Sequence, residues 1–181
     1  MGRLTHRTSP GWTYFVTTKC AQNVSVFQVR ENAEILIAKL FEYRDKGHYL
    51  LHGFVVMPNH LHLLITPLES TSLERAMQFM KGGSSYAIHK ARCTKNEIWQ
   101  SGFHESRVRD SAEYKVKADY IRFNPITAKL VEKPEDWPYS SANELFVLDP
   151  IPQGLKPHVA VPPNVGAKAP TPKTLSKAAL A

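Results

Sequence analysis

Residues 54–67, FVVMPNHLHLLITP, form the most apolar run of the chain and carry two histidines separated by one leucine. Apolar residues on both sides of a turn-prone Pro-Asn pair predict a β-hairpin. Side chains two positions apart in a strand point to one face, so we expect His60 and His62 to stand parallel, about 6–7 Å apart. Leu61 then points to the opposite face. The hairpin is expected to bury one face and to offer ligands on the other.

Strand and helix patterns alternate on both sides of this hairpin. Aromatic and β-branched residues predict a strand at 13–21, and apolar residues at helical spacing predict a helix at 30–46. A second helix, one or two short strands broken at Gly102, and a last helix follow. The order β-α-β-β-α-β-α predicts an α+β fold, a ferredoxin-like two-layer sandwich with a central antiparallel sheet and the two histidines on an interior strand.

Glycine and proline suggest where the later helices bend or end. The pair Gly82-Gly83 predicts a kink or a break in the second helix. Ser111 is expected to cap the last helix, and Pro125 to end it near Phe123, because the residue before a proline avoids helical angles.

The positive charge is concentrated in one stretch of the chain. Residues 81–133 hold eleven Lys and Arg against six Asp and Glu, so this stretch carries +5 of the formal net charge of +7. Phosphate is the expected partner of such a region, although a solvated basic face has the same composition. The two cysteines form no CxxC pair. No apolar run approaches the roughly 20 residues of a membrane helix, and the first residues do not read as a signal peptide, which favours a cytoplasmic protein with no membrane partner.

The composition predicts one domain over residues 1–146 and a tail over residues 147–181. The tail holds seven of the thirteen prolines, no aromatic residue, and one acidic residue against four lysines. Such a Pro/Ala/Lys-rich segment is expected to be flexible, either as a plain extension or as a basic arm that follows a nucleic-acid backbone.

A histidine pair alone is a weak metal signal, since hydrogen-bonded structural histidines give the same pattern. The last helix offers a third ligand, because Tyr120 and Asn124 lie four residues apart on one helix face. A divalent ion held by two imidazoles and an amide oxygen could polarise a phosphate oxygen while the phenol attacks phosphorus. The alternative for Tyr120 is a core aromatic residue with its hydroxyl at the surface.

Three segments in the same order resemble a known family. MPNHLHLL is similar to the histidine–hydrophobic–histidine (HUH) motif of single-strand DNA nucleases. IWQSGFHESRVRD and YIRFNPITAKLVEKPEDWPYSS are similar to the segments that follow it in the REP-associated tyrosine transposases, relatives of the single-tyrosine insertion-sequence transposases. The resemblance covers residues 11–142, nearly the whole expected domain.

The resemblance implies a specific chemistry. It implies that His60, His62 and Asn124 hold one Mg²⁺ or Mn²⁺ and that Tyr120 is the nucleophile. Its attack would release a 3′-hydroxyl and form a 5′-phosphotyrosine bond, so single-stranded DNA would be cleaved and transferred near the hairpin of a palindromic repeat. Insertion-sequence relatives work as dimers, whereas the repeat-associated branch implies a monomer.

Other polar and aromatic residues are weaker candidates. The expected phosphate contacts are Lys81, Arg107, Arg109, Lys117 and Arg122. Unpaired bases could stack on Tyr86, Trp99 or Phe103, unless these are core residues. His104 and Glu105 could act as a base, although an exposed polar pair is the simpler interpretation. His52 is expected to be a polar residue at a strand end, and Tyr114 lacks an amide four residues later, since Ala118 occupies that position.

Two alternatives to the transesterase remain open at this point. One is a non-catalytic module that binds DNA hairpins or other single-stranded nucleic acid, because ferredoxin-like domains also bind single-stranded RNA without cleaving it. The other is a metal-dependent hydrolase in which water attacks and Tyr120 has no role. Only the transesterase predicts a covalent protein–DNA product.

Overall fold

A four-stranded antiparallel sheet forms the centre of the protein in a computed structural model that describes residues 8–152 and 155. The strands and helices are β1 (Thr13–Lys19), α1 (Arg30–Asp45), β2 (Tyr49–Met57), β3 (His60–Pro67), α2 (Leu73–Arg92), β4 (His104–Val108) and α3 (Ser111–Thr127). The sheet order is β2-β3-β1-β4. This confirms the predicted α+β fold with the histidine-bearing β3 on an interior position. Among the described residues, no helix has the length and apolar character that crossing a bilayer requires.

The two faces of the sheet carry different layers. α1 and α2 cover one face over a large apolar core that includes Val16, Phe54 and Leu61. α3 lies on the opposite face over a smaller apolar cluster, to which the sheet contributes Leu64 and the helix Ile121. The first six elements therefore make the ferredoxin-like sandwich, and α3 adds a partial layer behind it.

Helix α2 is continuous, so the predicted kink at the glycine pair is wrong. Gly83 lies where α2 approaches α1, and a Cβ placed on it would be 2.3 Å from the hydroxyl oxygen of Tyr43. A Cβ on Gly82 would meet nothing within 4 Å. Gly83 thus permits close helix packing rather than a bend, because helix propensity is a weak preference that tertiary packing overrides.

Both ends of α3 differ from the prediction. Asp110, not Ser111, is the N-cap, and its Oδ1 accepts a hydrogen bond from the Glu113 backbone N–H at 2.8 Å. Pro125 lies inside the last turn and is buried. The helix ends two residues after it in a Schellman-type motif, with Lys129 in the left-handed region at φ +57°.

In that motif the backbone N–H of Lys129 bonds Ile126 O at 2.8 Å, and the N–H of Leu130 bonds Pro125 O at 2.9 Å. The proline has no backbone N–H to donate, but its carbonyl oxygen still accepts a hydrogen bond. Burial of its ring accounts for its tolerance in the last turn.

The chain that follows α3 returns along β2. Ser140 forms a bridge with Val55 in the middle of that strand. Further on, Asp149 accepts two hydrogen bonds from the Arg44 guanidinium, at 2.7 and 2.9 Å, and one from the Leu51 backbone N–H at 2.7 Å. The first residues of the expected tail therefore contact the domain, and most of the tail lies outside the described residues.

Candidate active site

The two histidines of β3 lie on the face that α3 covers, as predicted, with ring centroids 4.8 Å apart. Both side chains point to this one face, and their ring planes are inclined at 78°. Each ring has a different hydrogen-bond partner. His60 Nδ1 lies 2.7 Å from Asn59 Oδ1, and His62 Nδ1 lies 2.8 Å from Thr17 Oγ1 on β1.

His62 occupies an enclosed position between β1 and α3. Its side chain stacks on Phe15 at a centroid distance of 5.4 Å and meets the Tyr120 ring edge-on at 5.1 Å. His62 is only 4% exposed, and its Nε2 is buried without a hydrogen-bond partner among the described residues. Burial first, and then the neighbouring charges of His60, Lys117 and Lys19, lower its pKa to about 3.

That environment keeps the His62 ring neutral at physiological pH, and the neutral imidazole is the form that binds a metal. His60 is half-buried, and its pKa is lowered by burial and by the positive charge of Lys19. A buried Nε2 lone pair without a partner is the atom that a bound cation would satisfy.

Tyr120 stands on the side of α3 that faces β1. Its ring is 50% exposed and also meets Phe15 edge-on, with centroids 5.6 Å apart. Lys117, one turn earlier, places its Nζ 4.7 Å from the centre of the Phe15 ring. Tyr120 therefore lies beside Phe15 and His62, with Lys117 one turn earlier on the same helix.

Two ring contacts fix the direction of α3 along the sheet. Tyr114 lies 6.4 Å from His52, near the C-terminal end of β3, whereas Tyr120 lies beside His62. Because His60 precedes His62 in β3, α3 runs towards the His60 end. Tyr114 is therefore separated from the histidine pair of β3.

Asn124 follows Tyr120 on the same side of α3 and is half-buried. Four residues advance a helix by about 6 Å, which is close to the roughly 6.6 Å between alternate residues of a strand. From these spacings we expect Asn124 to lie towards the His60 end of β3, as Tyr120 lies beside His62.

The donor set suits a divalent ion with open coordination positions. No group of three or more His, Cys, Asp or Glu residues able to hold a metal occurs among residues 8–152 and 155. Two imidazoles and one amide oxygen would leave several positions for water or phosphate, as Mg²⁺ and Mn²⁺ sites in phosphoryl-transfer proteins do. The residues present therefore fit such an ion.

Three of the five predicted phosphate contacts share one groove. This β4–α3 groove, of about 630 Å³, lies between the sheet edge and the start of α3, and its lining includes Arg107, Arg109 and Lys117. Lys81 lies elsewhere and donates to the carbonyls of Gln100 and Gly102, at 2.7 and 2.6 Å.

Arg122 is exposed. It follows Tyr120 by two residues, which corresponds to a rotation of about 200° around the helix axis, so it lies on the opposite flank of α3. Of the aromatic candidates, Trp99 is buried in the core and donates to Ser84 Oγ at 3.1 Å, so it offers no stacking surface. Tyr86 is 70% exposed and Phe103 packs partly against the core.

The strand register separates the two candidate bases. His104 pairs with Thr17 and therefore shares the face of His62, whereas Glu105 pairs with Val16 and points to the opposite face. His52 lies inside β2, not at its end, and its Nε2 is 2.9 Å from Thr66 Oγ1. It is a structural histidine with a hydrogen-bond partner.

Sequence reasoning missed the contribution of β1. Phe15, Thr17 and Lys19 alternate along this strand, and each faces the histidines. Their alternation predicts a shared face, but only the pairing of β1 with β3 shows which residues that face meets.

Comparisons with known proteins agree with this architecture. The model of the family described as Transposase IS200 like matches residues 13–124. A REP-associated tyrosine transposase of Escherichia coli (strain K12) is 26% identical over 132 residues, covering 72% of this chain and 76% of the relative. A putative REP-associated tyrosine transposase of Haemophilus influenzae is 29% identical over 96 residues, covering 48% of this chain and 54% of the relative.

Among solved structures, a REP-associated tyrosine transposase bound to a REP hairpin superposes with a TM-score of 0.66 at 22% identity, covering 86% of this chain and 94% of that chain. That likeness shows a shared fold. The family match spans more than half of the chain and includes both histidines of β3, Tyr120 and Asn124. The chain belongs to the IS200-like transposase family.

Proposed function

We propose that this protein is a metal-dependent endonuclease and strand transferase for single-stranded DNA, acting through a covalent bond to Tyr120. One observation carries the proposal: the Tyr120 ring lies 5.1 Å from the ring of His62, whose buried Nε2 has no partner among the described residues. A structural histidine would have both ring nitrogens satisfied, as the interior of a protein generally requires.

The residues take complementary roles in the proposed reaction. His60, His62 and Asn124 would hold Mg²⁺ or Mn²⁺, which would neutralise charge on a non-bridging phosphate oxygen. The Tyr120 oxygen attacks phosphorus and loses its proton, and the P–O3′ bond breaks. The released 3′-oxygen takes up a proton and becomes a hydroxyl, while the phosphate stays on Tyr120 as a 5′-phosphotyrosine. One phosphoester replaces another, so the strand can be rejoined without an external energy source.

The charges around Tyr120 favour a phosphate substrate. Lys117 and Lys19 flank the histidine pair, and both lower the pKa of His62 by their positive charge. With the imidazoles neutral, these lysines and the proposed ion supply the positive charge that meets a phosphodiester. The β4–α3 groove adds Arg107 and Arg109 to Lys117, and Asp110 and Glu113 also line it.

We propose a hairpin of a palindromic repeat as the substrate and the monomer as the active form, working in the cytoplasm on nucleoid DNA. Two relatives bear the name of REP-associated tyrosine transposases, and a protein of this fold was solved with a REP hairpin bound. A half-exposed tyrosine beside a groove suits a flexible single strand next to such a hairpin.

The test mixes labelled hairpin oligonucleotides, with single-stranded flanks taken from repeats near the gene, with the protein and Mg²⁺, Mn²⁺ or EDTA. We expect a metal-dependent protein–DNA adduct on a denaturing gel. It should fall below detection, at least about 10³-fold, in Tyr120→Phe, because removal of a nucleophile abolishes its covalent step.

Tyr114→Phe is the matched control, since it removes a hydroxyl from the same helix and should leave the adduct unchanged. Cleavage by Tyr120→Phe without an adduct would identify a hydrolase that uses water. Hairpin binding without cleavage of any substrate would identify a non-catalytic binding module.

A further inference from the structure

In both histidines of the site, an oxygen atom lies within hydrogen-bond distance of Nδ1. Thr17 Oγ1 lies 2.8 Å from His62 Nδ1, and Asn59 Oδ1 lies 2.7 Å from His60 Nδ1. The two partners come from different parts of the fold, one from β1 and the other from the turn between β2 and β3. In both rings the Nδ1 atom is engaged and Nε2 is the atom left to face a ligand.

The amide of Asn59 is itself oriented by a second contact. Its Nδ2 donates to Asn23 Oδ1 at 2.8 Å, so its Oδ1 is the atom that meets His60. With the Asn59 amide in this orientation its Oδ1 can only accept, so His60 Nδ1 carries the proton. Asn23 lies in a left-handed conformation at φ +59°, which brings its side chain to the turn of the hairpin.

The environment of His62 favours the same protonation. Its Nε2 is buried and has no partner among the described residues, so a proton on this atom would be a buried donor without an acceptor. A proton on Nδ1 instead finds Thr17 Oγ1, which can accept it. The Nε2 lone pair is then free for a cation.

The geometry points to Thr17 and Asn59 as positioning residues that hold both imidazoles in the Nδ1–H tautomer, with Asn23 orienting Asn59. Both Nε2 lone pairs are thereby presented together to one ion before it binds. Partners of this kind fix the tautomer and orientation of metal-binding histidines in general. The role of the ion rests on the proposed function, whereas the tautomers are properties of the metal-free protein.

The first experiment reads the tautomers directly, without metal or DNA. Long-range ¹H–¹⁵N correlation spectra distinguish the two forms, because the unprotonated nitrogen couples to both ring C–H protons only when it is Nε2. The His60 and His62 signals are assigned by their loss in His60→Gln and His62→Gln. We expect the Nδ1–H pattern for both rings, and the Nε2–H pattern in either ring would overturn the assignment for its partner.

The variants separate positioning from simple structural support. Thr17→Val keeps the shape but removes the hydroxyl, and we expect His62 to lose its single tautomer. Thr17→Ser restores the acceptor and should restore the Nδ1–H pattern. Thr18→Val is the matched control, since the Thr18 hydroxyl is buried on the opposite face and has no hydrogen-bond partner among the described residues.

Asn59 is tested in the same way. Asn59→Ala should release the His60 tautomer, whereas Asn59→Asp keeps an acceptor oxygen and should preserve it. Asn23→Ala should act in the same direction as Asn59→Ala but more weakly, because Asn59 remains in place.

The second experiment measures Mn²⁺ binding by electron paramagnetic resonance on folded variants, as judged by thermal unfolding. We expect Thr17→Val and Asn59→Ala to bind Mn²⁺ about 10- to 100-fold more weakly, and Thr17→Ser, Asn59→Asp and Thr18→Val to stay within about threefold of the parent. Equal weakening by Thr17→Ser and Thr17→Val would refute the positioning role. Intact tautomers in a protein that binds no Mn²⁺ would refute the proposed metal site and leave the assignment of the partners standing.

Discussion

The two faces of the central sheet differ in how completely they are covered. On the α1/α2 face, side chains such as Val16, Leu61 and Phe54 are fully buried in one continuous core. On the α3 face, only the smaller cluster around Leu64 is apolar, and the same layer contains the two histidines. A single helix on this face leaves one flank accessible from solvent, and Tyr120 lies there.

The α1/α2 face therefore contributes mainly to the stability of the domain, whereas the α3 face carries the candidate active site. The α1/α2 face can bury its side chains without regard to ligands, so it supplies the larger share of apolar burial. The α3 face buries less apolar surface because it contains polar side chains, and hydrogen bonds such as Thr17–His62 stabilise these side chains. Substitutions in the two layers should therefore have different effects.

Truncating one buried residue in each layer should give opposite phenotypes. Leu40→Ala in α1 should lower the free energy of unfolding by about 3–5 kcal/mol, because it leaves a cavity in the large core. Ile121→Ala in α3 should cost about 2–3 kcal/mol but slow adduct formation about tenfold or more, since it loosens the helix that carries Tyr120.

Chemical denaturation and hairpin cleavage at a temperature where both variants are folded provide the two measurements. If Leu40→Ala impaired cleavage as much as Ile121→Ala, the division between the two faces would be wrong.

The contact between Asp149 and Arg44 joins the returning chain to α1 at the edge of the sheet. Asp149→Asn should lower stability at neutral pH by about 1–2 kcal/mol, since charge-assisted bonds are strong but this pair is partly exposed. Hydrogen bonding to Arg44 lowers the pKa of Asp149 from its usual 3.8. The contribution is therefore present above that pH and disappears as the pH falls through the lower folded pKa.

Denaturant unfolding of the parent and of Asp149→Asn across pH 2–7 measures this effect. The two curves should converge at the acid end. A constant difference at every pH would mean that the substitution acts through packing rather than through the charge of the carboxylate.

The glycine pair of α2 tests how tightly the covered face is packed. Gly83→Ala forces its methyl group against the Tyr43 ring, which is held by stacking on Phe79, and should destabilise by about 1 kcal/mol after the gain in helix propensity. Gly82→Ala meets open space and should stabilise by about 0.5–1 kcal/mol. Thermal unfolding compares the two, and equal shifts would show that the α1–α2 contact can relax.

The smallest effect concerns the open flank of α3. Lys117→Gln should reduce the slope of log affinity against log salt for hairpin DNA by about 1, as the loss of one phosphate contact does. Arg122→Gln, on the opposite flank, should change the slope less, although both residues were predicted to contact DNA. Fluorescence anisotropy at several salt concentrations measures both slopes, and a larger change in Arg122→Gln would place the DNA on the other side of α3.

Local patterns predicted much of the fold and the core of the site. The hairpin, the shared face of His60 and His62, and the helix face of Tyr120 all follow from the periods of strands and helices. The end of α3 was mispredicted, because the left-handed Lys129 and the burial of Pro125 decide it. These features depend on tertiary packing and not on the sequence around the proline.

The partners of the histidines were less accessible to prediction. Thr17 lies 45 residues before His62 in the sequence, and nothing near either residue indicates their contact. Asn59 is adjacent to His60, but a turn residue has a sufficient explanation in the turn itself. The pairing of β1 with β3 reveals the contact of Thr17 with His62, and the contact with Asn23 shows which amide atom of Asn59 meets His60.

The register of β1 has a consequence for how this domain can vary in length. β1 has seven residues, and Thr17 is paired with His62 while Lys19 is paired with His60. Inserting or deleting one residue in the strand would turn Thr17 to the opposite face, because side chains alternate with a period of two. A one-residue insertion or deletion that shifted the whole strand would thus remove the ring support, the stacked aromatic and a lysine together, so viable length variants of this domain should carry their insertions in the loops.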